Sequence, residues 1–212
     1  MPDRVLARSH AHRTEFFENE RELLESLAGH GQFPDAMFIG CSDSRVVPEI
    51  LTGARPGDLF VVRVVANIVP PYGTGQNAVG AAVEFAVQRL RVEHLIICGH
   101  TDCGGIKALD NGVDMVTEPA TANWIEFARP AQSQVAALGL TGDARHRAIV
   151  EGNVLLQLDN LRTYAAVSHA LAENRLELHG WVYDLAELQL RFYDAGQDRF
   201  VIFSPSNPQA SE

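Results

Sequence analysis

The chain has 212 residues, 46% of them apolar and 21% charged, a balance that suits one soluble globular domain and is short for two. Its net charge of −10, with Lys and Arg scattered, excludes the basic footprint of a nucleic-acid binder and the polybasic patch of a protein held on an anionic membrane. No apolar run reaches the length of a secretory signal core or a membrane span, and three cysteines are too few for a disulfide scaffold, so a cytoplasmic setting or an intracellular microcompartment is expected.

From the amino terminus, residues 5–28 are largely polar with apolar side chains at Phe16, Leu23, Leu24 and Leu27, a narrow stripe at helical spacing that Gly29 ends. So thin a stripe predicts a helical arm over residues 1–30 laid along a partner subunit. Apolar runs predict strands near 36–41 and 58–65, the second rich in Val as a buried parallel strand should be. Asn77 is placed to cap a helix running to about Leu90, whose Ala78, Gly80, Ala81 and Ala82 permit close packing. A strand at 94–100 completes a βαβ unit. Gly104-Gly105 open a short helix that ends near Asn111-Gly112. Residues 120–138 and 145–173 read as two further helices, the longer carrying Ile149, Val150, Val154, Leu155, Leu158, Leu161 and Tyr164. Residues 176–184 and 188–194 alternate as an antiparallel edge hairpin does, and residues 204–212 have the composition of a disordered tail. No repeat or linker interrupts this order. The expectation is one domain over residues 1–212, of α/β class, with a central, mostly parallel sheet flanked by helices.

The chemistry concentrates in two segments. Cys41-Ser42-Asp43-Ser44-Arg45 ends the apolar run that begins at Ala36, and His100-Thr101-Asp102-Cys103-Gly104-Gly105 ends the run that begins at His94. In open α/β sheets the carboxyl ends of strands are where ligands bind. A lone cysteine on a strand is more often inert packing, and Cys98, inside Leu95-Ile96-Ile97-Cys98, fits that role. Cys41 and Cys103 differ, because both lie at strand exits beside polar residues. Two thiols and one imidazole are the donors zinc takes, and three protein ligands leave the fourth position for water, as in catalytic zinc sites. Asp43 and Arg45, two and four residues past Cys41, can face that position from one tight loop. His10, His12, His30, His146 and His169 sit in polar or helical contexts, and His94 and His179 are expected to be structural.

These two segments resemble the signature of the β-class carbonic anhydrases. The likeness extends through Gly57-Asp58-Leu59-Phe60-Val61-Val62-Arg63, Ala66-Asn67-Ile68-Val69-Pro70-Pro71-Tyr72, Gly80-Ala81-Ala82-Val83-Glu84-Phe85-Ala86 and His179-Gly180-Trp181-Val182-Tyr183, in family order. The resemblance implies one zinc ion per chain on Cys41, His100 and Cys103, with Asp43 and Arg45 as the catalytic pair. The reaction it implies is hydration of CO2 to bicarbonate by a zinc-bound hydroxide that Asp43 orients while Arg45 holds Asp43 off the metal. It also implies Gln32 as an amide donor to substrate, Gly104 beside the substrate, an apolar wall from Phe60 and Phe85 at a dimer interface, and a homodimer or higher even homo-oligomer. Phe85 stands where plant-type members carry tyrosine, and Val64 replaces a usual asparagine. Some bacterial members are shut by bicarbonate held by a tryptophan, an arginine and a tyrosine. The matching positions here are Phe38, Arg63 and Tyr183, which favours the plant-like, open-site subgroup. Two thiolates and a neutral imidazole cancel the formal charge of zinc, so an alkaline optimum is expected. Two alternatives keep the same ligands: a zinc hydrolase acting on carbonyl sulfide or carbon disulfide, and a non-catalytic metal-binding assembly subunit.

Overall fold

Three apolar runs make the middle of the sheet: β1 (Ala36–Cys41), flanked in parallel by β2 (Leu59–Val64) and β3 (His94–His100). The computed structural model describes residues 2–75 and 77–202, without the side chains of residues 2, 3, 11, 14 and 15, so the tail expected at 204–212 lies outside the described residues. Every residue of β1 is buried, because helices cover both faces of a parallel sheet and leave no solvent side to alternate toward. The sheet has six strands in the order β2-β1-β3-β4-β5-β6. β4 (Glu177–Asp184) joins β3 in parallel, and β5 (Gln189–Asp194) and β6 (Arg199–Ile202) extend the sheet antiparallel. The expected antiparallel edge is therefore present and one strand longer than the alternation showed. β6 escapes that pattern because Arg199-Phe200-Val201-Ile202 does not alternate: its two middle residues are half-buried and its two ends exposed.

The helices follow the expected order with different breaks. α1 (Pro2–Asn19) and α2 (Arg21–His30) replace one continuous arm, and Gly29 lies inside α2. The stop is Gly31, whose φ of 88° is open to glycine, whereas a helix absorbs an interior glycine at a cost of about 1 kcal/mol. α3 (Pro48–Thr52) is a short helix the periodicity did not show. Asn77 does cap α4 (Ala78–Phe85), its side chain accepting from Gly80 N–H at 2.6 Å, and a π turn carries the helix to Leu90. α5 (Gly104–Asn111) starts immediately after Cys103. The 120–138 segment divides into α6 (Pro119–Ile125) and α7 (Arg129–Ala136) around a 3₁₀ turn. The 145–173 segment divides into α8 (Gly142–Arg162) and α9 (Ala165–Ala172), because Tyr164 adopts an extended backbone. Its hydroxyl donates to the Pro70 carbonyl at 2.7 Å.

That last contact belongs to a larger pattern. Residues 65–70 leave β2 through left-handed backbone at Ala66 and Asn67 and have no ladder partner for several polar groups. α8 supplies them. Asn153 donates to the Ala66 carbonyl at 3.0 Å, Gln157 accepts from Val69 N–H at 2.9 Å, and Asn160 donates to the Val69 carbonyl at 2.9 Å. The three amides are buried and spaced four and three residues apart, so they form a polar stripe inside an apolar helix face. At Gly99 a Cβ would approach Val154 Cγ2 to 2.8 Å, so only glycine lets α8 close on β3 just before His100. At Gly105 a Cβ would approach Val65 Cγ1 to 2.9 Å, so the braced loop and the start of α5 pack backbone to side chain.

The arm stands apart from this core. No described side chain of α1 or α2 is buried, and Val5 and Leu6 are 69% and 66% exposed. The arm touches the body through the ion pair of Glu20, between α1 and α2, with Arg55 and through Leu27 of α2, which covers Gly57. Among the described residues no helix is long and apolar enough to cross a membrane.

Candidate metal centre

Because β1 and β3 are parallel neighbours, their carboxyl ends open at the same edge of the sheet. Cys41 closes β1, His100 closes β3, and Cys103 precedes the first turn of α5. The three are buried, and their donor atoms lie within 4.8 Å of one another, with the sulfurs of Cys41 and Cys103 4.0 Å apart. Two sulfurs on one tetrahedral zinc, at about 2.3 Å each, stand about 3.8 Å apart. His100 is fixed by a 2.8 Å contact from Nδ1 to the Thr101 carbonyl, which requires Nδ1 to carry the proton. Nε2 is then a lone pair, and it is buried without a hydrogen-bond partner. An orphaned buried acceptor costs about 1–3 kcal/mol, and a metal ligand held by a carbonyl on its far nitrogen is the arrangement that removes the cost.

The thiols point the same way. Hydrogen bonding from Cys103 lowers Cys41 to about 4 against the opposing effect of burial, with His100 helping. Cys103 is raised, because it keeps the shared proton beside a thiolate and is itself buried. A cation between them is what allows both to ionise. Cys98 is different: burial pushes it up to about 12, and it packs with Ala36, Phe38 and Ile96.

Asp43 and Arg45 lie in the loop after β1. Arg45 Nε and Nη2 donate to the two Asp43 carboxylate oxygens at 2.9 and 2.7 Å, and Arg45 N–H adds a third bond at 3.0 Å. That guanidinium holds Asp43 well below the usual carboxylate range. Asp43 Oδ2 is 3.9 Å from His100 Nε2, so the carboxylate borders the cluster. Arg63 ties the loop down from β2, donating to the Cys41 carbonyl at 3.1 Å and the Asp43 carbonyl at 2.5 Å.

Asp102, between the ligands His100 and Cys103, gives Arg45 a second carboxylate partner that local spacing does not show. It accepts from Arg45 Nη1 at 2.8 Å and pairs with Lys107, and Lys107 first and Arg45 second lower it to about 2. Its φ of 61° turns the chain between His100 and Cys103.

The substrate candidates form a separate group. Phe60 and Phe85 stack with centroids 5.9 Å apart and planes 27° from parallel, and Phe85 is 47% exposed. Gly104 is the exposed first residue of α5. Gln32 is exposed in the loop between α2 and β1. Phe60 pairs with Met37, so it and Gln32 sit toward the amino ends of their strands. Four strand residues from Met37 to Cys41 span about 13 Å, and Gln32 lies farther still.

A family model described as carbonic anhydrase matches residues 36–190. The chain is 45% identical to the carbonic anhydrase of Pseudomonas aeruginosa over 181 residues, covering 85% of this chain and 82% of that protein. It is 41% identical to carbonic anhydrase 1 of Escherichia coli O157:H7, covering 92% of this chain and 89% of that one. Among solved structures, the β-carbonic anhydrase CcaA superposes with a TM-score of 0.90 at 36% identity, over 95% of this chain and 92% of the other. A tetrameric β-carbonic anhydrase of Sordaria macrospora matches with a TM-score of 0.81 at 29% identity, over 90% and 95%. β-Carbonic anhydrases are zinc enzymes, and the buried Cys-His-Cys cluster with its orphaned imidazole lone pair fits a zinc site. By sequence, by sheet order and by the donors gathered at one sheet edge, this chain belongs to the β-class carbonic anhydrases.

Proposed function

We propose that this protein catalyses the reversible hydration of CO2 to bicarbonate and a proton, with Cys41, His100 and Cys103 holding one zinc ion per chain. The observation that carries this reading is the orphaned Nε2 of His100 in a buried cluster bordered by the bidentate Asp43–Arg45 pair. Zinc, when bound, supplies the charge that acidifies a water and yields a nucleophile near neutral pH. Asp43, kept ionised by Arg45, accepts the hydrogen bond of that water and fixes the direction of its lone pair. Arg45 is a positioning residue: two bonds to Asp43 and one to Asp102 leave the carboxylate no freedom to swing onto the metal. The free N–H at the first turn of α5, at Gly104, is placed to receive a substrate oxygen.

Gln32 and the Phe60–Phe85 stack lie too far along the sheet to reach the metal centre of their own chain, so we assign them to the centre of a partner copy. An uncharged CO2 prefers such an apolar wall. The unburied arm then has its purpose, covering a second subunit rather than its own core, in a homodimer or higher even homo-oligomer. Deleting residues 1–30 is expected to cost solubility and most of the turnover together, measured by light scattering alongside the assay. A fully active monomer would contradict the shared site.

The open form is favoured by the same packing. Phe38 is wholly buried against Trp181 and offers no N–H, and Arg63 is already engaged on two carbonyls of the Asp43 loop. An anion that loses one donor loses about 1–3 kcal/mol, roughly ten- to a hundredfold in affinity. Bicarbonate should therefore inhibit weakly. The deciding experiment measures CO2 hydration and sulfide release from carbonyl sulfide and carbon disulfide side by side, with and without added bicarbonate. Faster sulfide release would replace the CO2 reading. A steep cooperative loss of turnover on acidification, deepened by bicarbonate, would replace the open form.

A further inference from the structure

At the amino ends of β3 and β4, the edge of the sheet opposite the Cys-His-Cys cluster, two imidazoles and a carboxylate converge. Parallel pairing sets His94 level with Glu177, and His179 follows two residues on, so the three side chains leave the sheet on one face. His94 Nδ1 lies 3.1 Å from His179 Nε2. Glu177 Oε2 lies 3.8 Å from the first nitrogen and 3.7 Å from the second. Six strand steps, about 20 Å, separate His94 from His100, so this group takes no part in the chemistry of the first site.

The donor triangle has the dimensions of an ion's coordination shell. Ligand bonds of about 2.0–2.2 Å place neighbouring donors about 3.0 Å apart at right angles and about 3.4 Å apart in a tetrahedron. The 3.1 Å edge lies inside that range, and the 3.7 and 3.8 Å edges exceed it by a few tenths of an ångström. A nitrogen pair at 3.1 Å also needs one ring to present a lone pair, because two N–H groups would oppose each other. Glu177 Oε2 faces both nitrogens from beyond hydrogen-bond reach, nearly equidistant from them, as a third ligand to a shared cation would be. The side chains of His94, Glu177 and His179 are 40%, 67% and 34% exposed, so an ion and its waters have free access.

We propose that His94, Glu177 and His179 form a second metal site that takes a divalent transition-metal ion through two imidazole nitrogens and one carboxylate oxygen, with water completing the shell. Imidazole and carboxylate donors without thiolate suit copper, nickel and zinc, in falling preference from copper. The ion would join β3 to β4 at the end of the sheet that no catalytic residue braces, as a staple between two strands.

The test uses protein that retains zinc at the Cys-His-Cys centre. Calorimetric titration with Ni2+ should show one further equivalent bound, and His94→Ala and His179→Ala should each weaken it by about tenfold or more while leaving zinc content and CO2 hydration unchanged. Glu177→Gln, at the most exposed of the three positions, should weaken it without touching the histidines. With Cu2+ as the probe, paramagnetic resonance should report two nitrogen donors in the parent protein and one in either histidine variant. Absence of a further equivalent in the parent, or binding undiminished in all three variants, would overturn the site, the second outcome placing the ion elsewhere on the surface. Loss of zinc from a histidine variant would signal a fold defect, and the Glu177→Gln result then decides.

Discussion

Cys41→Ser, His100→Ala and Cys103→Ser proteins should each be isolated without zinc and without measurable CO2 hydration, whereas Cys98→Ser should retain both. The geometry sets the contrast. The first three donors face one another within 4.8 Å, and two of the three are sulfurs that ionise together only around a cation. A serine hydroxyl at position 41 or 103 remains protonated near neutral pH and does not replace a thiolate. Removing His100 takes away a buried lone pair, at the centre of the cluster, that no protein donor satisfies. Cys98 has its sulfur within reach of its neighbour's carbonyl and is held protonated by burial, packed among Ala36, Phe38 and Ile96. Metal analysis of the four proteins, with turnover measured on the same samples, checks the assignment. Full zinc retention by Cys103→Ser, or zinc loss in Cys98→Ser alone, would refute it.

Asp43→Asn should keep its zinc and lose turnover by about 10²-fold or more, the range for removing one oriented polar group from a reacting centre. The amide has the shape of the carboxylate and can keep one bond from Arg45, but it lacks the charge that makes Asp43 an acceptor toward the attacking water. Arg45→Ala should fail by a different route. Asp43 Oδ2 is already 3.9 Å from His100 Nε2, so once its two side-chain bonds are gone a small rotation brings it onto the metal. Cobalt substitution separates the two outcomes, because a fourth carboxylate ligand changes the visible spectrum in Arg45→Ala and not in Asp43→Asn. Asp102→Asn should cost less than either, since Arg45 keeps both of its side-chain bonds to Asp43. Near-normal turnover in Asp43→Asn would remove the residue from the mechanism.

The sequence by itself determined whatever a short window of residues can carry. The buried strands 36–41 and 94–100 are continuous apolar runs, which is how a strand covered on both faces reads. The three metal donors stand at strand exits, and the Asp43–Arg45 pair closes within five residues of Cys41, so local spacing was enough to name them. Asn77 was legible as a cap because a cap satisfies its own helix. The tertiary structure decided what depends on a distant partner. Asn153, Gln157 and Asn160 are buried only because residues 66–70, more than eighty positions away, leave polar backbone groups that need them. The split at Tyr164 exists because its hydroxyl reaches Pro70, and nothing beside it in sequence shows that. Asp102 matters through Arg45, which lies 57 residues away and comes level only when β1 and β3 pair. Gln32 and Phe60 have the right chemistry for a substrate wall, but strand direction places them toward the amino ends, and His94, Glu177 and His179 meet there for the same reason. A hydrophobic period records which face a residue turns inward; which residues share an edge is set by strand order and direction, and these are fixed only when the whole sheet is assembled.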